Sequence, residues 1–133
     1  MREKKFRACI SPGTVIIFTL EDLVDPNPCF SIRELVKPWL LEGNVPDDYI
    51  GLKDKNGKEI YEKDIVRYPR ASGYDNHITI ALVEWDDEKA RFQIRFRDYP
   101  EHHLSATGKA KRLISYEVIG NVHENSELIR ESK

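Results

Sequence analysis

The sequence predicts a mainly β (α+β) fold, a small curved antiparallel sheet or barrel with one or two short helices packed on it. Three observations carry this. Apolar and polar residues alternate at period two through most segments that lie between turn signals. Asn56-Gly57 separates two such segments, which marks a hairpin. One stretch only, Leu35, Val36, Trp39 and Leu40, has its apolar residues at helical spacing.

The elements follow in order. Phe6, Ala8 and Ile10 alternate as a strand that Ser11-Pro12-Gly13 ends. Residues 14–20 are β-branched and aromatic and read as a second strand. Asp25-Pro26-Asn27-Pro28 breaks the chain, and Ser31 followed by Glu34 has capping-box spacing before the helical stretch. Pro38 shortens or kinks that helix, and Gly43 stops it. From about residue 49 strands take over: Ile50 to Leu52, Glu59 to Tyr61 across the Asn56-Gly57 turn, Ile65 to Tyr68, Ile78 to Trp85, and Ala90 to Tyr99. A loop covers Pro100 to Thr107, then Leu113-Ile114 and Tyr116 to Val122 are strand-like, and Ser126 caps a short terminal helix or tail. Three regions result: residues 1–48 with strands and a helical segment, a β-rich core over 49–125, and 126–133 as a terminal piece.

Register sharpens the hairpin after Ile78. With Asp87-Glu88 at the tip, Trp85 faces Ala90, Val83 faces Phe92, Ala81 faces Ile94, and Glu84 faces Arg91. One face is then apolar on both strands, as a core face must be. The other face of the first strand carries Ile78, Ile80 and Leu82, so it needs a cover, and the Trp39 helix is the expected one.

Bulk properties bound the function. At 133 residues, 40% hydrophobic and 33% charged, the chain is globular in composition and long enough for a core of its own. A net charge of −2 excludes a uniformly basic nucleic-acid protein and an acidic tail. The longest apolar run, Val15 to Leu20, is far shorter than the roughly 20 residues of a membrane span. The charged start has no signal-peptide pattern after it. Cys9 and Cys29 suit reduced thiols better than a disulfide framework. Cytoplasmic residence and no membrane contact are the expectation.

The sharpest chemical feature is Arg91, Arg95 and Arg97 at alternate positions of one strand, with Phe92, Ile94 and Phe96 between them. From Lys89 to Arg112 seven Lys/Arg stand against two Asp/Glu, a local charge of +5. Lys109, Lys111, Arg112 and Tyr99 extend the same candidate surface. Such a face can track a phosphate backbone and stack bases. The plain structural alternative is a solvated strand face with cross-strand ion pairs. His102-His103 has no Cys or carboxylate at zinc spacing, so no metal is expected. No nucleophile elbow, zinc-protease helix motif or phosphate-cradling glycine loop occurs, so neither catalysis nor a cofactor is expected. Asp86-Asp87-Glu88 fits turn chemistry rather than a cation site.

The most patterned stretch runs from Gly51 to Val66. It reads as a hairpin followed by a strand that enters the core at Ile65 and Val66, with Asp64 capping the turn. This stretch, with Val83 to Asp86, Lys5 to Ala8 and Tyr116 to Asn125, resembles the YopX family of small bacteriophage and prophage proteins. Two positions depart from the family pattern: Cys9 stands where the family has Trp, and Lys63 where it has Gly. A glycine there implies positive φ, so Lys63 is expected in a strained turn. Residues 9 to 48 carry no resemblance. The resemblance implies phage or prophage origin and a mostly β fold with some helix. It implies no activity, and no catalytic or ligand residue carries over. A non-enzymatic module that binds a protein partner or itself is therefore expected, with nucleic-acid binding through the Arg91, Arg95, Arg97 face as the alternative.

Overall fold

A computed structural model describes residues 4–24, 32–69, 78–98, 103–106 and 115–130. The fold is mostly β, with antiparallel sheets and a few short helices, as the sequence predicts. The chain divides into two compact units, Met1–Tyr49 and Ile50–Lys133.

In the first unit, β1 (Phe6–Ser11) pairs antiparallel with β2 (Thr14–Phe18) on one side and with the start of β3 (Asp47–Lys53) on the other. Arg7 lies opposite Asp47, and its Nε and Nη2 both donate to Asp47 Oδ2 at 3.0 and 2.8 Å. Both side chains are buried, so each charge needs the other. Strand β2 ends at Phe18, earlier than the apolar run suggests. Thr19 caps a one-turn helix, α1 (Leu20–Leu23): its Oγ1 accepts from Asp22 N–H, while its own N–H donates to Asp22 Oδ2. Helix α2 (Ile32–Leu41) continues through Pro38. Its buried stripe is Ile32, Val36, Trp39 and Leu40, at i, i+4, i+7 and i+8. Leu35 falls off that stripe and is exposed, contrary to expectation. The stripe packs on Phe6, Ala8, Ile16 and Phe18 of β1 and β2. The Trp39 helix therefore finds its apolar partners in its own unit, and the strand after Ile78 has a different cover. The expected caps at Ser31 and the break at Asp25 to Pro28 lie outside the described residues.

The second unit holds the later part of β3, β4 (Glu59–Tyr61), and a five-stranded sheet. The sheet contains β5 (Asp64–Pro69), β6 (Ile78–Asp86), β7 (Arg91–Phe96), β8 (His103–Ser105) and β9 (Glu117–Asn121), in the order β8-β7-β6-β5-β9. Its core gathers Ile50, Ile60, Val66, Ala81, Val83, Phe92, Ile94, Ala106 and Tyr116. Strand β8 occupies part of the expected loop 100–107. The chain after β9 forms α3 (Val122–Asn125) and a 3-10 helix, Ser126–Ile129. That 3-10 helix packs against β6.

The β6–β7 register differs from expectation by two residues. Trp85 pairs with Phe92, Val83 with Ile94 and Ala81 with Phe96. Asp86 Oδ1 accepts from Glu88 and Lys89 N–H at 3.0 and 3.4 Å, which opens a four-residue turn, and Ala90 closes it at φ 50°. An even slip leaves every side chain on its face, so the apolar face survives the shift.

Three turns are fixed by side chains. Asp54 is nearly buried. Its Oδ1 accepts from Asn56 and Lys58 N–H at 2.8 and 2.9 Å, and its Oδ2 from Val118 N–H at 2.9 Å. Only Gly57 in this turn has positive φ, 83°, so Asn56-Gly57 does not form the two-residue hairpin expected, which needs both. Asp64 caps the next turn as expected, with Oδ2 accepting from Tyr61 N–H at 2.8 Å, and Ile65 and Val66 are buried. Lys63 stands at φ 71°, as the glycine-like position requires. Its N–H donates to Val83 O and its C=O accepts from Val122 N–H. The third turn joins β9 to α3. Asn121 Oδ1 caps the helix through Glu124 N–H, and Asn125 Oδ1 accepts from Asn121 N–H. A Cβ at Gly120 would stand 2.5 Å from Asn125 Oδ1, so only glycine leaves room for that side chain.

Two predictions follow from these turns. Burial of Asp54 opposes ionisation, but the N–H groups of Val118, Lys58 and Asn56 and the charge of Lys58 outweigh it and hold the carboxyl below its ordinary 3.8. A lowered folded pKa stabilises the fold above the ordinary value and loses that contribution as pH falls through the folded one. Asp54→Asn should therefore cost about 2–4 kcal/mol at neutral pH. Urea melts should show the gap to wild type narrowing as pH falls below about 4, where the unfolded chain's Asp54 begins to take up a proton that the folded carboxyl accepts only at lower pH. Lys63→Gly relieves a left-handed lysine and keeps both backbone bonds. It should raise stability by about 0.5–1 kcal/mol, read as a higher urea midpoint at unchanged slope.

Candidate interaction surfaces

The alternation of β7 places Arg91, Gln93 and Arg95 on the face opposite Phe92, Ile94 and Phe96, as the sequence predicts. Arg97 lies one residue past the strand. The face is more neutral and more covered than the sequence suggests. Glu84, set opposite Gln93 by the shifted register, accepts from Gln93 Nε2 at 3.0 Å and from Arg95 Nε at 3.1 Å. The expected Glu84–Arg91 pair is thus replaced by Glu84–Arg95. Arg97 is turned aside: Nε and Nη2 donate to the Asp98 carboxylate, and Nη1 reaches the Leu128 carbonyl of the 3-10 helix at 3.4 Å. Gln93 is only 4 % exposed.

Arg91 differs from its two neighbours. Asp86 lies opposite it, but Asp86 Oδ1 is taken by the turn N–H groups. Among the described residues no carboxylate pairs with Arg91, and its Nε and Gln93 Oε1 are buried without a hydrogen-bond partner. Tyr99, Lys109, Lys111 and Arg112 lie outside the described residues, as do His77, His102 and Cys29. His103 contributes its backbone to β8, opposite Arg95. At the β6–β7 tip Trp85 Nε1 donates to Asp87 Oδ1 at 2.8 Å, and the indole meets Phe92 edge-on, so these acidic residues serve the turn.

The second candidate surface is apolar, and the sequence reading passed over it. In the first unit Val15 and Ile17 of β2 are 42 % and 40 % exposed, on the face opposite Ile16 and Phe18. Leu20, Val24, Leu35, Leu41 and Val45 are also exposed, Val24 and Leu41 by about three-quarters. In the second unit Trp85 is the one large apolar side chain exposed among the described residues. The signal was present in the run Val15-Ile16-Ile17-Phe18: a strand apolar on both faces must bury both, and the first unit covers one. Among the described residues no helix is long and apolar enough to cross a membrane.

The comparisons with known proteins agree with this fold. The crystal structure of protein EF1440 from Enterococcus faecalis is similar, with 27% sequence identity and a TM-score of 0.51, over 96% of this chain and 76% of that one. No curated protein matches the sequence. The profile described as YopX protein matches residues 30–130, which takes in the Asp54, Asp64 and Gly120 turns. The chain belongs to the YopX family.

Proposed function

We propose that this protein is a non-enzymatic interaction module that meets a protein partner through the apolar surface of its first unit. The carrying observation is the distribution of exposed large apolar side chains. Val15, Ile17, Leu20, Val24, Leu35, Leu41 and Val45 belong to residues 1–49, against Trp85 alone in the described part of the second unit. Scattered exposed apolar residues are ordinary, but Val15 and Ile17 adjoin on one face of β2, and adjoining exposed apolar side chains mark a contact surface. Phage or prophage origin, implied by the family resemblance, and the cytoplasmic residence expected from the sequence's bulk properties set where such a partner is sought.

Nucleic-acid binding is the second reading, and Arg91 is the observation that favours it, as a guanidinium that no described carboxylate neutralises. Arg95 and Arg97 argue against it, because their charges are already matched by Glu84 and Asp98.

Two measurements separate the readings. Leu41→Lys with Val45→Lys touches two exposed positions and should leave stability within about 0.5 kcal/mol. The pair should abolish capture of the partner that the wild-type protein retains from host lysate, and undiminished capture would sink the interaction reading. Fluorescence anisotropy with labelled single- and double-stranded DNA and RNA, at low and physiological salt, tests the alternative. No salt-sensitive binding is expected. Binding that weakens steeply with salt and disappears in the Arg91→Ala, Arg95→Ala, Arg97→Ala triple variant would move the function to the basic strand.

A further inference from the structure

We propose that Asn56-Gly57 is a self-modification site: in the folded protein the Asn56 carboxamide converts to isoaspartate through a cyclic imide, at a rate set by opening of the Asp54 turn. The chemistry needs a carboxamide free to swing onto the next peptide nitrogen, a following residue with no side chain in the way, and water. The described asparagines are Asn44, Asn56, Asn121 and Asn125. Three of them are engaged, and each precedes a residue with a side chain. Asn44 Nδ2 donates to Trp39 O and precedes Val45. Asn121 Oδ1 accepts from Glu124 N–H and precedes Val122, while Asn125 Oδ1 accepts from Asn121 N–H and precedes Ser126. Among the described residues nothing hydrogen-bonds the Asn56 carboxamide, and Gly57 follows it. Both residues are exposed, and a Cβ built on Gly57 would meet nothing within 4 Å, so water reaches this peptide group.

The turn opposes the reaction. The nitrogen that must attack belongs to Gly57, and its N–H donates to Asp54 O at 3.0 Å. On either side of it, Asn56 and Lys58 N–H are held by Asp54 Oδ1. Attack therefore waits for a local opening of the turn. In the opened turn the Gly57 nitrogen gives its proton to water and bonds to Asn56 Cγ. The Cγ–Nδ2 bond breaks, and ammonia leaves carrying a proton taken from water. Water then opens the ring. Cleavage at the α-carbonyl leaves Gly57 joined to Cγ as isoaspartate, and cleavage at Cγ gives ordinary aspartate. Either route consumes one water, releases one ammonia and lowers the net charge of −2 by one unit.

The two products differ in what they do to the fold. Isoaspartate adds one carbon to the main chain between Asn56 N–H and Lys58 N–H, the two donors that share Asp54 Oδ1. The lengthened turn no longer seats both. The other Asp54 oxygen holds Val118 N–H in β9, so the change spreads from the turn to a strand of the sheet. Ordinary aspartate keeps the backbone and the turn.

Ageing the purified protein in neutral buffer, beside the same chain in urea, tests the proposal. Peptide mapping by mass spectrometry follows the amide-to-acid change, and labelling with an isoaspartyl methyltransferase identifies isoaspartate. The folded protein should gain its acid at Asn56 before Asn44, Asn121 or Asn125, at least about tenfold more slowly than the chain in urea. Asn56→Ser should lose the label. Asn56→Asp should melt as wild type does, whereas the aged isoaspartyl fraction, isolated by ion exchange, should have a lower urea midpoint. No conversion of the folded protein over a period that converts the unfolded chain overturns the site, and so does a label that survives in Asn56→Ser. Equal rates in buffer and in urea overturn control by the Asp54 turn. An isoaspartyl fraction as stable as Asn56→Asp overturns the loss of the turn.

Discussion

The second unit depends on one carboxylate. Asp54 sits where the β3–β4 turn meets the start of β9, and its two oxygens accept three backbone N–H groups from segments 64 residues apart. The backbone adds a bond beside it, from Lys55 N–H to Tyr116 O. Each of these N–H groups would otherwise lack a partner where the ladder is interrupted. A charge accepting several donors is the strongest neutral-pH solution. Asp64, Asn121 and Asn125 repeat the device at the other turns of this unit. A small sheet with bent strands leaves donors unpaired at its corners, and short polar side chains collect them. All of these corners lie within the residues that the family profile matches.

Local chemistry was legible in the sequence and long-range partnership was not. Asp64 could be read as a cap and Ile65 and Val66 as core, because each depends on neighbours within a few positions, whereas the left-handed Lys63 was implied by the glycine of the family pattern. The capping box at Thr19 and Asp22 was equally local. It was hidden by the apolar run before it, which made Leu20 look like strand. The two-residue error at Asp87 had a related cause: the Asp86 side chain widens the turn, and residue types at the tip suit either length. The partner of the Trp39 stripe was a different matter. An amphipathic helix announces that it needs an apolar surface, and nothing in its own residues says which.

The same division holds for surfaces. Alternation put Arg91 and Arg95 along one side of β7, while Arg97 falls past the strand and turns to Asp98. Whether a guanidinium is available depends on which carboxylate stands opposite, and therefore on register. Glu84 reaches Arg95 and leaves Arg91 because the strands are offset by two. Exposure of Val15 and Ile17 depends likewise on there being one layer of helix for a strand apolar on both sides. Basic residues attract attention in a sequence, while unguarded aliphatic ones look like core until the structure shows that nothing described covers them.

The hairpin between β6 and β7 has a consequence for how this fold tolerates change in length. Its tip is closed by a side chain and a left-handed alanine, not by a compulsory pair of residues, so the loop is free to accept chain. Residues added there can bulge into solvent while Val83, Phe92 and Ile94 keep their places against the core, because the apolar face holds the register. One residue gained or lost within the paired stretch would instead turn the returning strand over and present arginines to the apolar layer. The hairpin therefore accepts change of any length at its tip and filters it by parity along its arms.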